Sequence, residues 1–367
     1  MNKIKSIVSV IVFSVFLVTV SSVCLAKPAD ATSDAERRAL AQFPEVTVET
    51  IANGEFSQGF ESYTTDQFPA REAFRGIKTF VVKHLLQKAE NNGIFTAEGH
   101  ISKIDGEENA AMLDRAAERF TYLYNTYLTE SNVYFSVVPD KNRYLAAQNG
   151  YPSLDYDGFV ERMKSKVRFM GYIDVSGLLS LDDYYRTDTH WKQDNIVDIS
   201  RHLSTEMGKL PDNTPYTENT LGIPFNGVYS GQYALPVIPD TIKYLTSDVI
   251  DNAVVHYYDT GKPKAGTMYN MDKAQGKDPY DMFLSGTMPL ATLERANGVK
   301  GNHLVLFRDS FGSAIAPLFL ESYDKVTVVD TRYVQSEFLK SFGIEFAGAD
   351  VLFLYSTSLL NNSLAIR

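Results

Sequence analysis

The chain has 367 residues, 44% of them apolar, which is enough to bury a sizeable core and excludes a disordered polar chain. Its formal charge of −10 becomes −12 once Lys3 and Lys5 of the N-terminal segment are set aside. No cluster of Lys and Arg offsets that balance, so nucleic acid is excluded as a partner and a neutral or cationic polymer fits better.

The chain starts Met-Asn-Lys-Ile-Lys and continues as an uncharged, largely apolar run from Ser6 to Ala26. A short basic region before an apolar one is the pattern of an export signal. Residues 1–26 are therefore read as a signal peptide or an N-terminal membrane anchor. Small and apolar residues before Lys27 allow cleavage after Ala26, and a run of about 20 residues also suffices to span a bilayer uncut. Lys3 and Lys5 keep that end cytoplasmic and put the rest outside, in a periplasm or on the outer face of the cell membrane. Cys24, the only cysteine, lies within this segment and lacks the residues expected before a lipidated cysteine. The exported part thus has no disulfide, no metal-thiolate site and no thiol nucleophile.

Residues 27–55 form a tether and lead-in, polar and rich in small residues from Ala29 to Glu36. One large domain is expected over 56–367. Its first element is an amphipathic helix launched near Pro69, with Ile77, Phe80, Val81, His84 and Leu85 at helical spacing. A second helix runs from Glu108 to Leu128 with Met112, Ala116, Phe120, Leu123 and Tyr127 on one face. Strand, helix and strand follow at Asn132–Val138, Gly158–Phe169 and Gly171–Val175. Leu210 to Thr246, rich in Pro, Gly, Asn and Thr, has no regular period and reads as a surface excursion. Further strands are expected at Val254–Tyr258, Leu304–Phe307, Val326–Val329 and Val351–Tyr355. Strands separated by helix-length segments predict an α/β fold, a mostly parallel sheet with helices on both faces.

Chemistry concentrates at two places. The segment His303-Leu-Val-Leu-Phe-Arg-Asp-Ser-Phe-Gly-Ser313 is an apolar strand ending in a turn, with helix signals after it. Ser310 sits at that joint, where ligands bind in parallel sheets and where helix N–H groups can stabilise an oxyanion. Asp309 or Ser310 merely capping the helix is the competing reading. The second place is Tyr184-Tyr-Arg-Thr-Asp-Thr-His-Trp191. Asp188 and His190 flank Thr189, and His190, one of six histidines, stands beside the only tryptophan. A serine nucleophile needs a base, and that base needs a carboxylate to fix its tautomer, so Asp-x-His can supply both from one loop. A loop histidine with an acid nearby by chance is the bland alternative.

The other histidines, His84, His100, His202, His256 and His303, do not fall at metal-ligand spacings, and no metal site is expected. Glycine-rich dinucleotide and nucleoside-triphosphate signatures are absent, as is a Gly-x-Ser-x-Gly elbow. Asp182-Asp183 could imitate a glycosidase pair but reads better as solvated acid. Tyr184-Tyr185 and Tyr257-Tyr258 could stack on sugar rings, although most aromatic residues belong to cores.

Thr187-Asp-Thr-His-Trp191, followed far downstream by Arg308-Asp-Ser-Phe-Gly312, resembles the DHHW proteins and the periplasmic alginate O-acetyltransferase proteins, of the SGNH-hydrolase-like superfamily. Phe68-Pro-Ala-Arg71 resembles the family's Phe-Pro-x-Arg segment, and Val138-Pro-Asp-Lys141 its strand ending in Pro-x-Lys. The second motif position is Thr189, where the DHHW name has histidine. The resemblance covers Phe56 to the C-terminus and implies Ser310 as nucleophile, His190 as general base and then acid, and Asp188 as its orienting acid. It implies transfer of acetyl onto hydroxyls of a surface or secreted polysaccharide through an acetyl-serine. It implies no bound cofactor. It also implies a donor supplied indirectly, by a membrane-bound O-acyltransferase partner, and Arg308 is a candidate for oxyanion or substrate contact. A carbohydrate acetylesterase with the same triad and a non-catalytic envelope scaffold are the alternatives.

Overall fold

In the computed structural model, which describes residues 2–259, 261–298 and 301–367, the chain divides into two compact units. Residues 1–92 with 228–237 form one, and residues 93–227 with 238–367 form the other. This partition differs from the single domain over 56–367 expected from the sequence.

The first unit begins with helix α1 (Asn2–Ala26), whose stretch Lys3–Cys24 is long and apolar enough to cross a membrane. Helices α2 (Glu55–Asp66) and α3 (Arg71–Phe80) follow, and α3 runs on into a wider π turn over Val81–Leu85. The helix expected after Pro69 is therefore present.

The second unit holds the large sheet. Hairpin strands β1 (Ile94–Ala97) and β2 (His100–Lys103) precede helix α4 (Ala110–Leu123), which Asn109 caps by accepting from Met112 N–H. Strand β3 (Asn132–Val138), helix α5 (Tyr156–Lys166) and the two-residue strand β4 (Gly171–Tyr172) then make one parallel crossover. After helix α6 (Val197–Glu206) the chain forms an antiparallel hairpin, β5 (Thr217–Phe225) with β6 (Asp240–Thr246). This corrects the expectation of an irregular excursion. A register shift between Thr220 and Pro224 breaks the two-residue alternation, which hides the strand from periodicity.

Strands β7 (Val254–Tyr257), β8 (Lys264–Gly266), β9 (Leu290–Glu294), β10 (His303–Arg308), β11 (Lys325–Val329) and β12 (Asp350–Ser356) complete the set. The main sheet has the order β8-β7-β9-β11-β10-β12-β3-β4. From β11 to β4 every pairing is parallel, and β8, β7 and β9 add an antiparallel flank. The fold is thus the α/β architecture expected, with β8 and β9 as strands the sequence reading did not separate.

Each central strand is buried on both sides, as a parallel sheet requires. Leu304 and Leu306 of β10 enter one apolar layer with α6 and with the segment after Ser310, whereas Val305 and Phe307 enter the opposite layer with α4 and α5. Leu352 and Leu354 of β12 divide from Val351 and Phe353 in the same way. Burial of each such side chain contributes roughly 1.5–3 kcal/mol, so the sheet centre is the firmest part of the unit. Because β3, β10 and β12 run parallel, their carboxyl ends open on one edge, and the loops there bring distant segments together.

Candidate active site

Strand β10 ends at Arg308, and helix α7 (Phe311–Ile315) starts after two intervening residues, Asp309 and Ser310. Asp309 does the local fastening. Its Oδ1 accepts from Phe311 N–H at 3.0 Å, and its Oδ2 accepts from Ser356 N–H at 2.8 Å, tying the joint to the end of β12. Ser310 makes no side-chain capping bond. The capping reading therefore falls to Asp309, and the Ser310 hydroxyl is left for another partner. Gly312 is required there because a Cβ would lie 2.4 Å from the Arg308 Cβ.

That partner is His190. Ser310 Oγ lies 2.8 Å from His190 Nε2, and His190 Nδ1 lies 2.6 Å from Asp188 Oδ1. An ionised carboxylate offers only acceptors, so Nδ1 carries the hydrogen and Nε2 is left to accept from the serine hydroxyl. His190 N–H also donates to Asp188 Oδ1 at 3.1 Å, which orients the carboxylate from a second side. The side chain of Asp188 is 1% exposed and that of His190 12% exposed. The carboxylate is thus shielded from water while the imidazole edge stays reachable.

The loop that carries both groups is over-determined. Tyr184 and Trp191 bridge across it, and Tyr185 N–H donates to His190 O at 3.0 Å. Lys141, fully buried just beyond β3, sends its Nζ to the carbonyls of Tyr185, Arg186 and Asp188 at 3.0, 3.1 and 2.8 Å. Burial pushes this ammonium down to about 7, against the pull of Asp188 and Asp240. Asp240 of β6 accepts from Thr187 N–H at 2.7 Å and from Thr187 Oγ1 at 2.6 Å. Gly227 comes so close that a Cβ there would sit 2.4 Å from Asp188 Cβ. Finally, Trp191 Nε1 donates to Phe311 O at 3.0 Å, joining the residue after His190 to the residue after Ser310.

Aromatic rings fix the plane of the imidazole. Tyr280 stacks on His190 with centroids 4.0 Å apart and planes 9° apart, and Phe311 approaches at 5.2 Å from a tilted angle. Tyr280, Asp240 and Gly227 were not singled out from the sequence, since each acts through contacts with residues far away along the chain. The unique Trp191 beside His190 was the one local signal of that surrounding.

Arg308 is placed differently from the expected substrate contact. Its guanidinium is 2% exposed, pairs with Asp330 Oδ2 at 3.1 Å and donates to the carbonyls of Asp309 and Gly286. It braces the joint from beneath. Among the described residues no group of three or more metal-ligating side chains comes together.

One histidine near the loop couples the fold to acidity. His100 of β2 is buried, and Ile101 N–H beside it donates to Arg186 O at 2.8 Å. Burial pushes His100 and also His303 down to about 4 from 6.5. Between pH 6.5 and 4 the unfolded chain therefore binds protons that the folded chain refuses, so stability falls as pH falls through that window. Urea unfolding from pH 7 to 4.5 is expected to show a loss on the order of 2 kcal/mol per histidine, and His100→Leu is expected to flatten the slope. A midpoint unchanged between pH 7 and 5 would contradict neutral burial of these rings.

A hydroxyl, an imidazole and a carboxylate linked in series beyond the carboxyl end of a parallel strand are the elements of a serine triad on an α/β fold. Comparison with solved structures finds the same fold in a DHHW family protein from Eubacterium siraeum DSM 15702, at a TM-score of 0.60 and 22% identity over 76% of this chain and 95% of that one. Bacillus cereus PatB1 shares it at a TM-score of 0.55 and 16% identity, covering 74% of this chain and 97% of that one. PatB1 with a sulfonyl adduct shares it at 0.54 and 15% identity, covering 73% and 97%. No protein-family model matches the sequence, and no curated protein sequence matches it.

Proposed function

We propose that the protein is an extracytoplasmic serine O-acetyltransferase that moves acetyl onto hydroxyls of a cell-surface or secreted polysaccharide. The observation that carries this reading is the unbroken series Ser310 Oγ, His190 Nε2, His190 Nδ1 and Asp188 Oδ1. Acetyl, rather than another acyl group, is favoured by the resemblance of Thr187–Trp191 and Arg308–Gly312 to the DHHW and alginate O-acetyltransferase motifs.

In the first half-reaction Ser310 Oγ attacks the donor carbonyl while His190 takes its proton at Nε2. Asp188 stabilises the imidazolium and holds the productive tautomer. The tetrahedral intermediate then collapses, the leaving group takes the proton from His190, and an acetyl-serine remains. A sugar hydroxyl then attacks that ester with His190 as base, and collapse returns the proton to Ser310. A membrane-bound O-acyltransferase partner passes acetyl across the bilayer, since the protein lies outside the cytoplasm. Helix α1, if retained, keeps the site close to that partner.

The test is a partition experiment. Purified full-length protein is given p-nitrophenyl acetate with and without a panel of short neutral and amino-sugar oligosaccharides, and acetate and acetylated sugar are quantified together. Acetylated sugar rising at the expense of acetate supports transfer. Acetate alone at saturating acceptor identifies an esterase, and no turnover of the ester with intact fold identifies a scaffold.

A further inference from the structure

The first unit is built inside out. Between residues 27 and 92, Leu40 is the only apolar side chain among the described residues that is buried. Helix α3 turns its polar side inward, where Thr79 is 1% exposed and accepts from Asn91 Nδ2 at 2.8 Å. Its apolar side faces outward, with Phe74 51%, Ile77 60% and Phe80 50% exposed, and Leu85 of the following turn 66% exposed. A helix in water buries such a stripe. An exposed apolar stripe on an element with a charged and hydroxyl-bearing opposite side is the pattern of a helix lying in a membrane interface.

Chain connectivity says which surface covers it. The segment Lys3–Cys24 is apolar and 0% buried. Six residues beyond it, Asp30 N–H donates to Gln67 Oε1 at 2.8 Å, and Gln67 Nε2 donates back to Asp30 O at 2.9 Å. Arg71, the first residue of α3, pairs with Glu36 at 2.6 Å, and Arg38 holds Asp66 through two bonds at 2.8 and 2.6 Å. Six residues reach about 20 Å at most, so Gln67, four residues before α3, is fastened about that far or less from the end of the span. A bilayer crossed by α1 is therefore within reach of the apolar stripe.

We propose that α3 and the turn after it lie along the outer surface of the bilayer that α1 crosses, with Phe74, Ile77, Phe80 and Leu85 at the boundary between headgroups and acyl chains. The occupant of this face is lipid. The unit thereby becomes a two-point mount, one helix through the membrane and one on it. The proposal rests on retention of α1 and is independent of the chemistry at Ser310.

Full-length protein in a Cys24→Ser background, with a single nitroxide-labelled cysteine introduced as Ile77→Cys, Leu85→Cys or Glu72→Cys, is placed in nanodiscs of phosphatidylethanolamine and phosphatidylglycerol. Collision rates with oxygen and with a water-soluble nickel chelate are then compared. The Ile77→Cys and Leu85→Cys labels are expected to favour oxygen over nickel severalfold relative to the Glu72→Cys label. Equal nickel access at all three positions overturns the proposal. So does shielding of the first two from both reagents that disappears when one chain per disc is enforced, which identifies a second copy instead. Intact mass of protein extracted from host membranes is the companion measurement, and a chain that begins after Ala26 also overturns it.

Discussion

Replacing Ser310 by alanine is expected to lower the rate of acetyl transfer by about 10⁴- to 10⁶-fold, equivalent to roughly 5–8 kcal/mol of transition-state stabilisation. Stability should hardly change. The hydroxyl makes no capping bond, and the helix start is held by Asp309 through Phe311 N–H and Ser356 N–H. Loss of a true capping hydroxyl would cost about 1 kcal/mol, so a urea midpoint within about 0.5 kcal/mol of the parent separates the two roles of this joint. Asp309→Ala should do the reverse in stability, costing about 2–4 kcal/mol because it leaves two buried donors without acceptors. Mass spectrometry after treatment with a sulfonyl fluoride gives a second readout: the parent should gain one sulfonyl group on Ser310 with loss of fluoride, and the alanine variant none. Unaltered transfer by the alanine variant would remove Ser310 from the mechanism.

Asp188→Asn is expected to reduce kcat by about 10²- to 10⁴-fold with little change in KM. The substitution preserves shape inside a site where the carboxylate is 1% exposed. Lys141 bonds to the backbone carbonyl of residue 188, so the loop keeps that fastening. What changes is the charge. The amide oxygen takes the place that accepts from both His190 N–H and Nδ1–H, so the tautomer is kept, but a neutral amide no longer stabilises the imidazolium that forms when Ser310 gives up its proton. His190→Ala combined with Asp188→Asn should be no slower than His190→Ala alone, because the carboxylate acts only through the ring. A double variant slower by the full product of the two single effects would show that Asp188 acts on the substrate by another route.

Much of this arrangement was legible along the chain. The apolar runs at Asn132–Val138 and Leu304–Phe307 became strands because fully buried parallel strands have no polar alternation to disguise them. Ser310 could be placed at a strand-to-helix joint, and Asp188 and His190 could be paired because a single residue, Thr189, separates them. Strand β9 was not separated, since Leu290–Glu294 is short and ends on a charge, and the β5–β6 hairpin was concealed by its register shift near Pro224. The pairing of Arg308 was not legible for a different reason. A cation next to a nucleophile looks like an anion contact until its pairing with Asp330, 22 residues away, is known. Asp240 and Tyr280 share that property, because their partners are set by topology and no local pattern announces them, whereas Lys141 stood out in its Pro-x-Lys segment without its partners being legible.

The bond from Trp191 Nε1 to Phe311 O has a mechanical meaning. It links the immediate neighbours of the base and the nucleophile, so the lever arm from that bond to either reacting atom is one residue long. Motion of the 184–191 loop drags the start of α7 with it, and drift of α7 drags the loop. Base and nucleophile therefore travel together, and their separation is buffered against breathing of the loops that carry them.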